Sequence, residues 1–373
     1  MEYVLHLTDN CNLDCKYCID NKKDKNIDIE KIKMIIDNIV EEKQKYATIN
    51  FYGGEPLLQK QIIKDTLDYI NSKKSKTKFE YGITTNGTLL TDEDIEFFNN
   101  NKFSHVALSI DGTSEAHDIN RITKDGHRTH KLVEENAKKL LNGFENVVSM
   151  SVISNNNVKY LPESTKYLIN LGFKKINFLI NYHCDWKDDD LEMFRQKLSE
   201  VSKIYEEEIL KENNIEIILL DTKINDYIKG NNCNDECSLG IKSINVSTDG
   251  DYYPCTTFVG DKKYVIGNYS DGVDVNAREQ MRASSKKEKQ ICSECSIKNR
   301  CKHLCACRNY TLTSDINEVT PIVCETERII VDVADRMAER LNSKKSKMFI
   351  QKYYNKNFSL INLMSKRFKE GGR

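Results

Sequence analysis

The chain has 373 residues, with 56 Lys and Arg against 57 Asp and Glu, for a formal net charge of −1. That length allows one large domain and a smaller one, and the charge balance excludes the global field that draws proteins to nucleic acid or acidic membranes. No apolar run approaches the ~18–20 residues of a membrane span, and the N-terminus lacks the basic-then-apolar pattern of a signal peptide. A soluble, cytoplasmic protein is expected. Thirteen cysteines stand out against that background. In a reducing compartment they are expected to be metal ligands or catalytic thiols, not disulfides. Three precede position 20, one is Cys184, and nine fall between Cys233 and Cys324. Such clustering points to two metal-bearing regions.

In chain order, an apolar run at 3–7 leads into Cys11-Asn12-Leu13-Asp14-Cys15-Lys16-Tyr17-Cys18, three thiols spaced C-x3-C-x2-C. Thiolates suit iron–sulfur clusters and zinc. Three ligands on a four-iron cubane leave one iron open to a substrate or cofactor, by the logic that separates catalytic from structural zinc. A zinc site whose fourth ligand lies elsewhere would use the same residues. Further β-like runs fall at 47–52, 79–84, 105–110, 147–153 and 175–180, with amphipathic helices between them. Ile32, Met34, Ile35, Ile39 and Val40 give the first helix its apolar stripe behind Asp28, a capping residue. Thr91 opens another, with Asp92, Glu93 and Asp94 complementing its dipole. Six βα units predict a parallel sheet with right-handed crossovers, too few for an eight-stranded barrel. The expected fold is α/β: a partial (β/α)6 TIM-like barrel over residues 1–213.

Sites on such sheets gather at the C-terminal ends of the strands. After the second run comes Phe51-Tyr52-Gly53-Gly54-Glu55-Pro56, where two glycines permit close backbone approach and Glu55 can accept from an ammonium group. A Gly-Gly pair alone reads equally as an ordinary βα loop. The third run ends in Thr84-Thr85-Asn86-Gly87. The fourth ends in Ser109-Ile110-Asp111-Gly112, followed by His117, Asp118 and Arg121; His117 and Asp118 also suit a surface capping or salt-bridge pair. The sixth ends in Asn181-Tyr182-His183-Cys184, and Cys184 is a catalytic candidate or a small buried hydrophobe.

The cysteine spacing, Tyr17 beside the last thiol and the placement after the first strand resemble the radical S-adenosylmethionine (radical SAM) superfamily. The resemblance implies the same partial barrel and a 4Fe–4S cluster on Cys11, Cys15 and Cys18. Gly53-Gly54-Glu55 matches the family's GGE motif for the amino group of SAM. Ser109 and Arg121 match its candidates for the SAM carboxylate and ribose, with Tyr17, Thr85, Asn86 and Asp111 as further cofactor-binding candidates. An adenine-contacting backbone is implied near 154–157.

A charged helix is predicted over 187–213, with Leu191, Phe194, Leu198, Val201, Ile204 and Tyr205 as its buried stripe, then an apolar run at 215–220. From Asn231 the chain is punctuated by Gly, Asn and Cys, as suits a loop-rich, metal-stapled domain over 214–335. Residues 245–253 read as a hairpin around Asp249-Gly250. Cys237-x12-Gly250-x4-Cys255, Cys292-x2-Cys295-x5-Cys301-x3-Cys305 and Cys324 together resemble the SPASM extension of radical SAM peptide-modifying enzymes, although paired zinc ribbons share the C-x2-C element. The resemblance implies auxiliary cluster I on Cys237, Cys255 and Cys305, with Cys233 as fourth ligand. It implies auxiliary cluster II on Cys292, Cys295, Cys301 and Cys324, hence three 4Fe–4S clusters in all. Cys307 is then an alternative ligand, a catalytic thiol or a bystander.

Two departures bear on function. Sulfatase-maturing members carry an aspartate base directly after the cysteine of G-x4-C; here that position is Thr256, which cannot take a proton in the same way. Cys11 also leaves no room for the leader-recognition domain of many peptide-modifying relatives, so a separate protein reads the leader or the substrate is read directly. A basic helical tail is expected over 336–373, either docking an acidic leader or packing on the barrel with a solvated face. The expected activity is that of a radical SAM oxidoreductase on a small ribosomal precursor peptide, fed by a flavodoxin- or ferredoxin-type reductant. SAM would be cleaved to a 5′-deoxyadenosyl radical, with net two-electron oxidation and a thioether or carbon–carbon cross-link as product. Formylglycine formation on a sulfatase is the second reading, and a non-catalytic metal-stapled binding module the third.

Overall fold

A computed structural model describes residues 1–19, 22–229, 239–287 and 289–354. Its chain alternates β1 (Glu2–His6), α1 (Ile29–Glu41), β2 (Tyr46–Tyr52), α2 (Lys60–Ser72), β3 (Lys78–Thr85), α3 (Asp92–Asn100), β4 (Phe103–Ser109), α4 (Ser114–His117), α5 (His130–Gly143), β5 (Val147–Ile153), α6 (Leu161–Leu171), β6 (Lys175–Ile180) and α7 (Asp188–Leu210). All six expected strands are present, each end within two residues. Asp28 caps α1 by accepting from the Glu30 amide, and Thr91 and Asp94 form a reciprocal capping box on α3. Ile32, Ile35, Ile36 and Ile39 bury one face of α1; Met34 is exposed, so the stripe is narrower than the sequence suggests.

The sheet has nine strands in the order β7-β6-β5-β4-β3-β2-β1-β8-β9. Every pairing among β1–β8 is parallel, and β9 returns antiparallel to β8. Its two ends do not pair with each other, which leaves the partial barrel open. The 215–220 run splits into a two-residue β7 (Glu216–Ile217) and the start of α8 (Ile218–Lys229). The 245–253 hairpin is present as β8 (Ser243–Val246) and β9 (Tyr252–Tyr253). Its first strand extends the main sheet by pairing with β1, Glu2 opposite Ser243 through Leu5 opposite Val246. That register covers an edge that would otherwise present unpaired backbone.

Beyond the hairpin lie β10 (Gly267–Asn268), β11 (Gly272–Val273), α9 (Val275–Ser285), α10 (Ala306–Thr313), α11 (Pro321–Ser343) and α12 (Lys347–Tyr353). Pro321 starts α11 where its missing N–H costs nothing. The helix runs unbroken through 335–336, the expected start of the tail, and its face of Ile330, Val333, Ala334 and Met337 joins the main core. Phe349 and Tyr353 bury one side of α12. Asp221 accepts from Tyr205 Oη (2.7 Å), from Lys352 Nζ (2.9 Å) and from Tyr353 Oη. Arg340 and Lys344 both reach Glu206, each at 2.6 Å. The described part of the tail is therefore packed through the end of α11 and through α12, with internal partners for Arg340, Lys344 and Lys352; residues 355–373 lie outside the described residues.

Asp221→Ala removes the charged partner of the largely buried Lys352 ammonium and an acceptor shared by two buried phenols. An expected loss of about 3–5 kcal/mol follows, read as a lower urea midpoint at unchanged m-value; Asp221→Asn, which keeps one acceptor oxygen, should lose less.

Candidate cluster and cofactor site

The C-terminal ends of the barrel strands open onto a cavity of about 590 Å³. Cys11, Cys15, Tyr17 and Cys18 line it together with Gly53, Gly54, Glu55, Thr85, Asn86, Ser109 and Arg121. From the second cysteine region come Thr256, Thr257, Lys302, Cys305, Cys307, Arg308 and Glu327.

The cysteine loop is held by backbone. Gly54 N donates to Thr8 O (2.8 Å) and Glu55 N to Asn10 O (3.0 Å). A Cβ on Gly54 would sit 2.2 Å from Asn10 O, and one on Gly53, at φ +133°, 2.4 Å from Thr8 O. The close approach that these glycines permit is thus made to the strand leading into the cysteines, with the cavity on their other side. Two further amides tie down the loop, Asp14 N to Ile122 O (2.7 Å) and Lys16 N to Asn120 O (2.9 Å). Leu13 N (3.4 Å) and Asn86 Nδ2 (3.8 Å) point at Cys11 Sγ. Burial pushes the Cys11 thiol up and that of Cys15 up to about 11, with Arg121 pulling the latter back.

Glu55 is buried and accepts from Asn86 N (2.7 Å), Thr85 Oγ1 (2.7 Å) and Leu57 N (3.0 Å). Burial dominates all three donors and raises its pKa to about 7. Asp111 accepts four bonds: from Tyr17 Oη (2.8 Å), Arg121 Nε (3.0 Å), Arg121 Nη2 (3.0 Å) and Val152 N (2.8 Å). It stands behind the cavity wall and orients two residues that line it. His117 is buried rather than at the surface: its Nδ1 accepts from Asp111 N (3.3 Å), and burial lowers its pKa well below the usual value. Asp118 accepts from Thr129 N and His130 N at the start of α5, the capping role. Asn181, Tyr182 and His183 line the cavity, whereas Cys184, outside the lining, turns its Sγ to Asn181 O (3.2 Å).

In the second region, Cys255 follows β9, Cys305 caps α10 and Cys307 lies in its first turn. Cys305 Sγ and Cys307 Sγ are 3.4 Å apart. Contact with Cys307, opposed by burial and aided by Arg308, lowers the Cys305 thiol to about 6. Glu327 is buried, accepting from Lys223 Nζ (2.8 Å), Arg308 Nη1 (3.1 Å) and Lys302 N (3.1 Å). Burial pushes its pKa up, but Lys223 and Arg308 outweigh burial and hold it below the usual range. The Arg308 guanidinium also stacks 4.8 Å from the Tyr182 ring centroid. Cys324 sits in the first turn of α11; burial, then Cys292 and Cys295, push its thiol up. Cys233 and Cys237 lie outside the described residues. Among the described residues, no three His, Cys, Asp or Glu side chains are spaced to hold one metal ion. The donor set at 11–18 is all sulfur, with an amide and a carboxamide aimed at Cys11 Sγ, which suits a thiolate-held iron–sulfur cluster.

Residues 5–168 match the radical SAM superfamily. The chain carries a radical SAM domain. That family uses SAM and a 4Fe–4S cluster. An uncharacterised protein of Methanocaldococcus jannaschii is 35% identical over 177 residues, 47% of this chain and 60% of that protein. The cysteine-type anaerobic sulfatase-maturating enzyme of Clostridium perfringens is 26% identical over 336 residues, 82% of this chain and 89% of the enzyme. Among solved structures, native anSMEcpe with bound AdoMet superposes with a TM-score of 0.80 at 22% identity, covering 92% of this chain and 99% of that one. Streptococcus suis SuiB bound to precursor peptide SuiA gives 0.61 at 17% identity, over 87% of this chain and 75% of that one. At these identities the structures establish a shared fold. No helix among the described residues is long and apolar enough to cross a membrane.

Asp111→Asn takes the charge from a buried carboxylate and leaves Arg121 uncompensated. Destabilisation of about 3–5 kcal/mol is expected in urea unfolding; Tyr17→Phe, which removes one neutral donor, should cost only about 1 kcal/mol.

Proposed function

We propose that the chain is a radical SAM peptide maturase that oxidises a ribosomally made precursor peptide by two electrons and closes a thioether or carbon–carbon cross-link. The observation that carries this reading is the single cavity shared by the Cys11–Cys18 loop, the Gly53–Glu55 turn and the Thr256, Cys305 and Cys307 wall. Cys11, Cys15 and Cys18 hold the first cluster. Glu55 accepts the ammonium of SAM, and Ser109 and Arg121 face its carboxylate and ribose. Tyr17 keeps Arg121 in place through their shared partner, Asp111. When bound, cluster and SAM supply one-electron chemistry and hydrogen-atom abstraction. Leu13, Phe178, Ile218, Leu219 and Ile330 give the cavity apolar walls that exclude water from a reactive centre.

In the second region, Cys233, Cys237, Cys255 and Cys305 would hold auxiliary cluster I, and Cys292, Cys295, Cys301 and Cys324 auxiliary cluster II. Closed four-thiolate ligation suits electron transfer, and a substrate radical that gives up its electron completes a two-electron oxidation. Residues 1–213 and 214–335 are the units of these two tasks. A flavodoxin- or ferredoxin-type protein supplies electrons. The fold shared with a peptide-bound SuiB supports a peptide as substrate.

A second reading, formylglycine formation, is favoured by the 89% coverage of the C. perfringens enzyme. It asks for a proton acceptor at the position of Thr256. The Thr256 hydroxyl donates to Asn245 Oδ1 (2.7 Å). Among the described residues the cavity-lining carboxylates are Glu55 and Glu327, each already held by three donors. A threonine hydroxyl already engaged as a donor supports the cross-linking reading.

Anaerobic co-expression with short cysteine-rich precursor peptides should yield a product lighter by two hydrogens per bond. An unshifted peptide mass, together with an aldehyde on a sulfatase-derived cysteine peptide, would move the assignment to the second reading. SAM affinity should also depend on Glu55. Its carboxylate must be charged to meet an ammonium, and its pKa stands at about 7. Affinity measured by equilibrium dialysis should therefore fall as pH drops through 7, approaching roughly tenfold per pH unit. Glu55→Gln should bind more weakly at pH 8 and lose that slope.

A further inference from the structure

The cluster assignment above leaves Cys307 without a task. Its Sγ lies 3.4 Å from Cys305 Sγ, and its thiol is also in hydrogen-bonding contact with Cys255. Those two sulfurs are the ones assigned to auxiliary cluster I. The three thiols arrive from different places: the end of the β9 strand, the cap of α10 and the first turn of α10. Thiolates bound to different irons of one cubane project away from each other. A sulfur in contact with two such ligands at once is too close to share the cubane with them. It is well placed to donate its one S–H toward them.

We infer that Cys307 is a hydrogen-bond donor to the ligand sulfurs of auxiliary cluster I and raises that cluster's reduction potential, an inference that rests on the cluster assignment proposed above. A donor on a ligand sulfur draws electron density from the iron and stabilises the reduced, more negative state; such bonds are among the levers on iron–sulfur potentials. Cys307 and Cys305 both line the cavity, so the tuned Cys305 sulfur lies on the substrate side. A cluster of raised potential takes an electron from a substrate radical more readily. In that step the substrate loses one electron and a proton, the cluster gains the electron, and a flavodoxin- or ferredoxin-type carrier removes it. Because a thiol is a weak donor, the expected effect is a tuning rather than a switch.

The test uses the full chain with Cys11, Cys15 and Cys18 replaced by Ala, so that only auxiliary clusters are loaded. After anaerobic reconstitution, iron and sulfide are counted and reduction is followed by a redox titration with EPR detection. About eight irons per chain are expected with and without Cys307→Ala. In Cys307→Ala, one cluster should become harder to reduce; a tenfold change is about 59 mV for one electron. Cys307→Ser, whose hydroxyl still donates, should restore part of the shift. Unchanged potentials at eight irons would overturn the inference alone. Loss of about four irons in Cys307→Ala would also overturn it, by making Cys307 a ligand. A parent that binds zinc or no iron would remove the auxiliary clusters, and the inference with them.

Discussion

One close approach governs the site: the Gly53–Gly54 backbone lies on Thr8–Asn10, closer than any side chain would permit. The contact fixes the end of β1 against the end of β2, and the cysteine loop starts from that clamp. It also turns Glu55 inward, where Asn86 and Thr85 from the end of β3 complete its hydrogen bonds. Three strand ends are thus bound together, β1 to β2 through the main chain and both to β3 through the Glu55 carboxylate, before any cluster or SAM contributes. The consequence for Glu55 is a compromise. Three donors are enough to make its burial tolerable but not enough to hold its pKa down, so its negative charge is best satisfied by a cationic ligand.

A second buried carboxylate is handled in the opposite way. Glu327 meets Lys223, Arg308 and an amide, and attraction outweighs desolvation there. The difference is one of counter-charge: two cations are in direct contact with Glu327, whereas the donors to Glu55 are all neutral. Glu327 is therefore complete within the protein, and Arg308 also lies beside Tyr182 and Cys305. One carboxylate leaves a role for a ligand; the other organises a wall.

Much of the fold was legible because burial alternates along the strands and the intervening helices carry clean stripes. β5 and β6 begin and end where their apolar alternation does. β7 was not legible as a strand, since two residues show no period and the same apolar run continues as α8. The 245–253 hairpin was visible from its turn, but its pairing with β1 joins positions more than two hundred residues apart, and no local pattern reports such a pairing. In the site, the cysteine spacing and the Gly-Gly-Glu turn were readable as motifs. That Asp111 would be saturated by internal donors was not, because its four partners come from Tyr17, Arg121 and the β5 backbone. His117 looked like a surface residue because its neighbours are polar; burial by α5 and the Asp111 turn decides otherwise.

The pairing of β8 with β1 explains how cysteines so distant in sequence meet in one cavity. β1 carries the first cysteine loop at its C-terminal end, and a strand laid parallel to it must end on the same side of the sheet. The hairpin then returns antiparallel and leads into Thr256, which donates to Asn245 of β8 and lines the same cavity. α11 works from the other flank, packed on α7 and α8, and carries Glu327 to Lys223 of α8 and Arg308 of α10. Residues past 214 therefore act less as an appended module than as a continuation of the barrel. Its β1 edge is covered by β8, and its mouth is walled by α10 and α11. A metal-stapled region attached only by a linker could bind clusters equally well, but it could not hold Cys305 and Cys307 in the wall of the cavity that Cys11, Cys15 and Cys18 line.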